Sequence, residues 1–294
     1  MPVPRLYSGQ GAKTETTHVR AALILSLAFL LGACATTPPP IVAPSGPPPG
    51  VNYRINYGEA ELFADSVMPV SDDQLSSFRL LTGKAPVAWG RYLCHFKPEY
   101  DVTAAELAVM QRNSVAPFLI LQPGQSTLAR GAAEASAAAS CLASRIAALR
   151  AAAGPAALPA GLEIFLDVEK DTVLSQAYLE ALIPALQRAG VLTANTRFGI
   201  YLSGAYSVSL RNLINQEIAR GLPISILWFN RYPLRNYCGP PQFWQDNNIP
   251  ALGVANVPFE YWQYAAECRA YGGRYPNSSF DLNIRRPATR EVAS

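Results

Sequence analysis

The chain has 294 residues, of which 24 are Lys or Arg and 21 are Asp or Glu, for a formal net charge of +3; half are hydrophobic and 15% are charged. A balance this close to neutral, with no stripe of basic and aromatic residues, argues against nucleic acid as a partner, while the apolar content supports a full globular core. With His18 and His95 the only histidines, a histidine triad or a multi-histidine metal site has almost nothing to draw on.

Residues 1–33 have the shape of an export signal. Arg5, Lys13 and Arg20 face a single acid, Glu15, ahead of the apolar run "AALILSLAFLLGAC". That run is shorter than the roughly 20 apolar residues a bilayer span needs. Its end, Leu31-Gly32-Ala33-Cys34, resembles the lipobox of bacterial lipoproteins, which implies cleavage before Cys34 and lipid attachment to that cysteine. Residues 34–50 then read as the lipidated cysteine and a tether, because 35–50 hold seven prolines and almost no charge. Such a segment stays extended rather than packing. The expected location is extracytoplasmic and lipid-anchored. In a cell with two membranes Ala35, unlike the aspartate retention signal, points to the outer one.

Residues 51–294 form one α/β-sized domain. Eight short segments rich in aliphatic and aromatic residues read as buried strands, at 61–65, 86–93, 116–122, 162–169, 197–203, 223–230, 258–264 and 280–284. Helical patterns lie between several of them. Thr103 and Glu106 form a capping box. Residues 127–152 are an alanine-rich run closed by Gly154-Pro155. Residues 175–190 and 209–221 carry helical spacing and stop at glycine, the first with Pro184 inside it. No helix is expected before the last strand, where "AECRAYGGRYPNSS" reads as loop. Strand–helix alternation predicts a parallel sheet, and eight strands predict a closed (β/α)8 TIM-like barrel, with irregularity near the last strands. Four cysteines remain after the leader, at 94, 141, 238 and 268, allowing three pairings. Cys238 with Cys268 is the pairing expected, since both fall in the loop-rich final third.

The chemistry concentrates in "IFLDVEK". Asp167 and Glu169 end the fourth strand, two apart and so on one face, about 7 Å from each other, with Val168 turned to the helices. In such a barrel the strands' C-terminal ends form the active face. Asp65 closes the first strand and Asp281 lies in the eighth, its neighbour in a closed barrel. Buried acids are costly unless paired, hydrogen-bonded or protonated, and like charges drive one pKa upward. A protonated carboxyl beside an ionised one is the equipment of glycosidic cleavage. Aromatics gather near the same ends and offer faces for sugar rings: Trp89, Tyr92, Tyr201, Trp228, Tyr232, Tyr261, Trp262 and Tyr264. His95 follows the second strand, where it reads as a loop histidine. No phosphate-binding glycine loop precedes a helix, and no cofactor or metal is called for.

"PFLILQ", "EIFLDVEKD", "FGIYLSGAY", "ISILWFNRY", "FEYWQYA" and "FDLNI" occur in the order seen in the glycoside hydrolase family 25 lysozyme-like barrels. With "ADSVMPVSDDQLSSF" as its opening, the chain resembles more closely their secreted glycoside hydrolase-like relatives of uncharacterised function. The likeness covers roughly residues 60–285. It implies Glu169 as proton donor, Asp167 and Asp281 as supports for the sugar's N-acetyl group or for developing charge, and Asp65 as the first-strand aspartate. It also implies the glycan strands of peptidoglycan as substrate and a short segment leading from Asp65 into a first helix. Three readings stand at this point: a wall-directed glycosidase, a glycan-binding barrel without turnover, and a glycosidase for another extracytoplasmic polysaccharide.

Overall fold

The computed structural model describes residues 61–169, 172–202, 208–230, 238, 259–268 and 279–285. The expected export signal, Cys34, the tether and Tyr232 lie outside them. Eight strands close into a barrel in sequence order: β1 (Glu61–Ser66), β2 (Ala88–Tyr92), β3 (Ala116–Leu121), β4 (Glu163–Val168), β5 (Arg197–Leu202), β6 (Ile224–Asn230), β7 (Phe259–Cys268) and β8 (Phe280–Arg285). Each matches an expected segment to within a few residues. β1 to β7 pair in parallel. β8 runs the other way, antiparallel to both β7 and β1, which is the irregularity expected near the last strands. β7 also continues through Cys268, across two breaks in its register with β8, so the start of the expected loop is strand.

The described helices are α1 (Asp72–Thr82), α2 (Ala104–Arg112), α3 (Gln125–Leu128), α4 (Ala132–Ala153), α5 (Gln176–Arg188) and α6 (Val208–Ala219). α1 begins where Ser71 accepts the Gln74 N–H and ends at Gly83 in the left-handed region. The Thr103–Glu106 capping box forms as expected. The alanine-rich run is two helices rather than one. Gly131, at φ 110°, breaks it before α4, a conformation open to glycine and costly for alanine. Pro184 sits inside α5.

Strand parity divides the buried side chains into two cores. Even positions of β1 and odd positions of β2 face the helices, where Leu62, Ala64, Trp89 and Leu93 pack with Phe78 and Phe280. The opposite parity fills the barrel with Phe63, Phe118, Ile120, Phe165, Tyr201, Ile226, Trp228 and Tyr261. The rings meet edge to face, Phe63 with Tyr261 at 4.8 Å and Phe165 with Trp228 at 5.3 Å, the arrangement that aromatic quadrupoles favour. Gly90 and Gly199 make room for this plug. A Cβ at Gly90 would lie 2.4 Å from the Phe118 ring, and one at Gly199 2.6 Å from the Phe165 ring. Below the aromatic layer an ionic group closes the floor, with Arg197 on Glu163 and Glu260, and Tyr261 donating to Glu163. Two disulfides tie the outside. Cys238–Cys268 is the expected pair, and Cys94–Cys141 joins the loop after β2 to α4.

Candidate active site

Above the aromatic plug, a cavity of ≈ 290 Å³ opens at the C-terminal ends of β1 to β7. Asp65, Asp167, Glu169 and Asp281 all line it, with Tyr92, Ile120, Tyr201, Trp228, Asn230, Ala266 and Glu267. The four expected acids therefore converge. Asp167 and Glu169 reach it through the alternation of β4, and Val168 between them is buried in the outer core. Asp281 reaches it because β8 is reversed. It is the second residue of that strand, and antiparallel pairing sets it directly opposite Asp65.

The acids are held by amide side chains. Asn283 donates to Asp65 at 2.7 Å and itself accepts from the Trp228 indole N–H at 2.9 Å. Gln122 donates to Asp167 Oδ2 at 2.6 Å. Asn230 donates to the Tyr201 hydroxyl, which donates to Gln263 Oε1, each at 2.7 Å; Gln263 in turn donates to Asp281. Asp281 also accepts the Glu267 N–H at 2.7 Å. Glu267 takes φ 53°, unusual for a residue with a side chain, and its conformation aims that N–H at the acid. Asp167 lines the cavity at 1% exposure, and its Oδ1 has no hydrogen-bond partner among the described residues.

Burial and mutual repulsion raise three of the acids. Burial pushes Asp65 well above the ordinary carboxylate range, Asp281 adds to this, and the Asn283 hydrogen bond opposes it. Burial does the same to Asp167, aided by the charges of Glu169 and Asp65. Asp281 is pushed up to about 7, chiefly by burial, with the Glu267 N–H pulling the other way. The Tyr92 hydroxyl is raised by burial and by all four carboxylates. Burial and the neighbouring carboxylates thus favour the protonated forms of Asp65, Asp167 and Asp281. Among the described residues, no group of three or more His, Cys, Asp or Glu side chains is arranged to hold a metal ion.

The aromatics divide. Tyr92, Tyr201 and Trp228 line the cavity. Trp89 does not. It lies in the outer core against Phe78 and Phe280 and donates to Ser66 Oγ at 3.0 Å. Trp89 and Tyr92 are three apart, so a regular strand cannot point both inward. Trp262 and Tyr264 pack in the outer core, 5.6 Å apart, while Tyr261 and Gln263 between and beside them face in. His95 is buried next to Tyr92, outside the cavity lining. Sequence reasoning passed over Gln122, Asn230, Gln263 and Asn283. Each stands two residues from an inward-facing side chain, so a polar amide at inward parity near a strand's mouth end was the signal to follow.

No protein-family model and no curated protein matches this sequence. Solved structures do resemble it. An uncharacterized B. stearothermophilus protein superposes with a TM-score of 0.56 at 18% identity, covering 76% of this chain and 95% of that one. The Clostridium perfringens spore cortex lytic enzyme SleM gives 0.47 at 14% identity, covering 78% of this chain and 68% of SleM. The modular autolysin LytC from Streptococcus pneumoniae gives 0.43 at 12%, covering 77% of this chain and 46% of LytC. The first of these likenesses speaks for the fold alone, and the two looser ones carry no argument.

Proposed function

We propose that this barrel is a glycoside hydrolase that cleaves N-acetylated glycan strands, those of peptidoglycan, with Glu169 as proton donor. The observation that carries the reading is the meeting of four carboxyl groups from β1, β4 and β8 in one cavity, three of them raised by burial and repulsion. Glycosidic cleavage asks for this combination: a carboxyl that gives its proton to the leaving oxygen, and negative charge beside the positive charge that grows on the sugar. In this scheme Glu169, which follows β4 and is half-buried where Asp167 is buried, protonates the glycosidic oxygen as the bond to the anomeric carbon breaks. Water supplies the hydroxyl that replaces it and returns a proton to the acid. Asp167 and Asp281 lie beneath the ring, and the unfilled Asp167 Oδ1 suits the N–H of an acetamido group. Asp65, opposite Asp281 in the sheet and held by Asn283, completes the same floor. The sequence resemblance supports the same roles.

The lipobox at Cys34 and two disulfides support an extracytoplasmic, lipid-anchored protein, because disulfides persist in oxidising compartments. The deciding experiment is a digest of purified peptidoglycan by the wild type and by Glu169→Gln, followed through reducing ends and product masses. Wild-type release that drops by about 10²- to 10⁴-fold in the variant is the expected result. Equal release by both proteins removes Glu169 from its role. Sedimentation of the wild type with the wall, without any release, turns the reading into a glycan-binding barrel.

A further inference from the structure

Phe96 is 53% exposed, yet the loop that carries it is firmly pinned. Its N–H donates to the Gln122 carbonyl at 2.9 Å, the His95 N–H donates to Asp101 Oδ1 at 2.9 Å, and the Val102 N–H donates to the Tyr92 carbonyl at 2.8 Å. Cys94, two residues before it, is bonded to Cys141 on α4. The Phe96 ring lies on His95 at 4.3 Å and 30°, and His95 meets Tyr92 edge to face at 4.9 Å. Lys97 Nζ stands 5.6 Å from the Phe96 centroid and 5.5 Å from that of Tyr100. Tyr92 is itself part of the cavity wall. A continuous path of rings therefore leads from the cavity, through a buried histidine, to an aromatic side chain half exposed to solvent.

The fold gains little from an exposed aromatic held in place, but a ligand gains from one, because its ordering cost is met in advance. A cavity of ≈ 290 Å³ lies at the lower edge of ligand-pocket sizes, which run from about 300 to 1,000 Å³, and it suits a single sugar ring. The rest of a glycan strand has to leave through the mouth. We propose that Phe96 is the stacking platform for a second sugar ring of the same strand, lying outside the cavity that holds the first. The apolar C–H face of a pyranose laid on the electron-rich face of the ring supplies the contact. This rests on reading the cavity as a sugar site, and not on whether the bond is cut.

The test is calorimetric titration of the full-length oxidised protein in a Glu169→Gln background, which stops turnover, with N-acetylglucosamine and its β-1,4-linked tetrasaccharide as probes. The tetrasaccharide should bind more tightly than the monosaccharide. Phe96→Ala should weaken the tetrasaccharide about five- to tenfold and leave the monosaccharide unchanged, while Phe96→Tyr retains the gain. A tetrasaccharide affinity unmoved by Phe96→Ala, or an equal loss for both sugars, overturns the platform. No binding of either sugar overturns it together with the sugar reading of the cavity. A wild type that shows the Phe96-dependent gain but releases no reducing ends from peptidoglycan keeps the platform and removes only the hydrolase.

Discussion

Asp281 keeps its proton up to about 7, against an ordinary value of 3.8, and this has a consequence for stability. Once unfolded, the same carboxyl ionises at its ordinary value. Between those limits the folded chain binds more protons than the unfolded one, so folding stability falls as pH rises from about 4 to about 7. Asp65 and Asp167 are shifted in the same direction and add to the slope. Asp281→Asn should lose part of that fall: thermal melts from pH 4 to pH 7.5 should show a shallower decline in Tm than the wild type, and parallel curves would contradict the assignment. The four acids were legible in the sequence because each stands at a strand end. The amides that hold them were not, since a glutamine or asparagine in a strand looks the same whether it meets water or a buried carboxylate. Trp89 and Trp262 misled for a related reason. Composition drew attention to the tryptophans, but parity decided which face they occupy.

Within the strands, Gly90 and Gly199 decide whether the barrel can close around its rings. Gly199 is the more confined of the two by backbone, since a Cβ there would also lie 2.9 Å from the Ile226 carbonyl oxygen. Gly199→Ala should cost roughly 1–3 kcal/mol, the usual range for forcing added volume into a packed core, seen as a lower urea midpoint; an unchanged midpoint would mean the Phe165 ring can move aside freely. The strands themselves were readable because buried strands appear as short apolar runs. The direction of β8 was not legible, because strands at 258–264 and 280–284 leave 15 residues between them, enough for a parallel crossover of a dozen or more. Only the extension of β7 through Cys268 shortens that connection below the limit. The break at Gly131 escaped notice because alanine favours helix on both sides of it, and only the backbone angle shows that the chain turns there.

Across the whole domain, the sheet and its helices are tied together by covalent bonds as well as by packing. Cys94–Cys141 closes a loop of 47 residues, a constraint worth about 4 kcal/mol on chain-entropy arguments. Replacing both cysteines with serine should lower stability by an amount of that order, read by guanidinium denaturation, and should loosen the loop before Phe96 more than the acids, since none of the four depends on it. Equal stability with and without the bond would show that packing alone fixes α4 on the barrel. The reversed last strand shapes the molecule in another way. Glu61 and Arg285 are partners in the sheet, so the described barrel begins and finishes side by side at the end remote from the acids. Chain entering at Glu61 and chain leaving at Arg285 thus both join the described barrel on the face turned away from the four carboxyl groups.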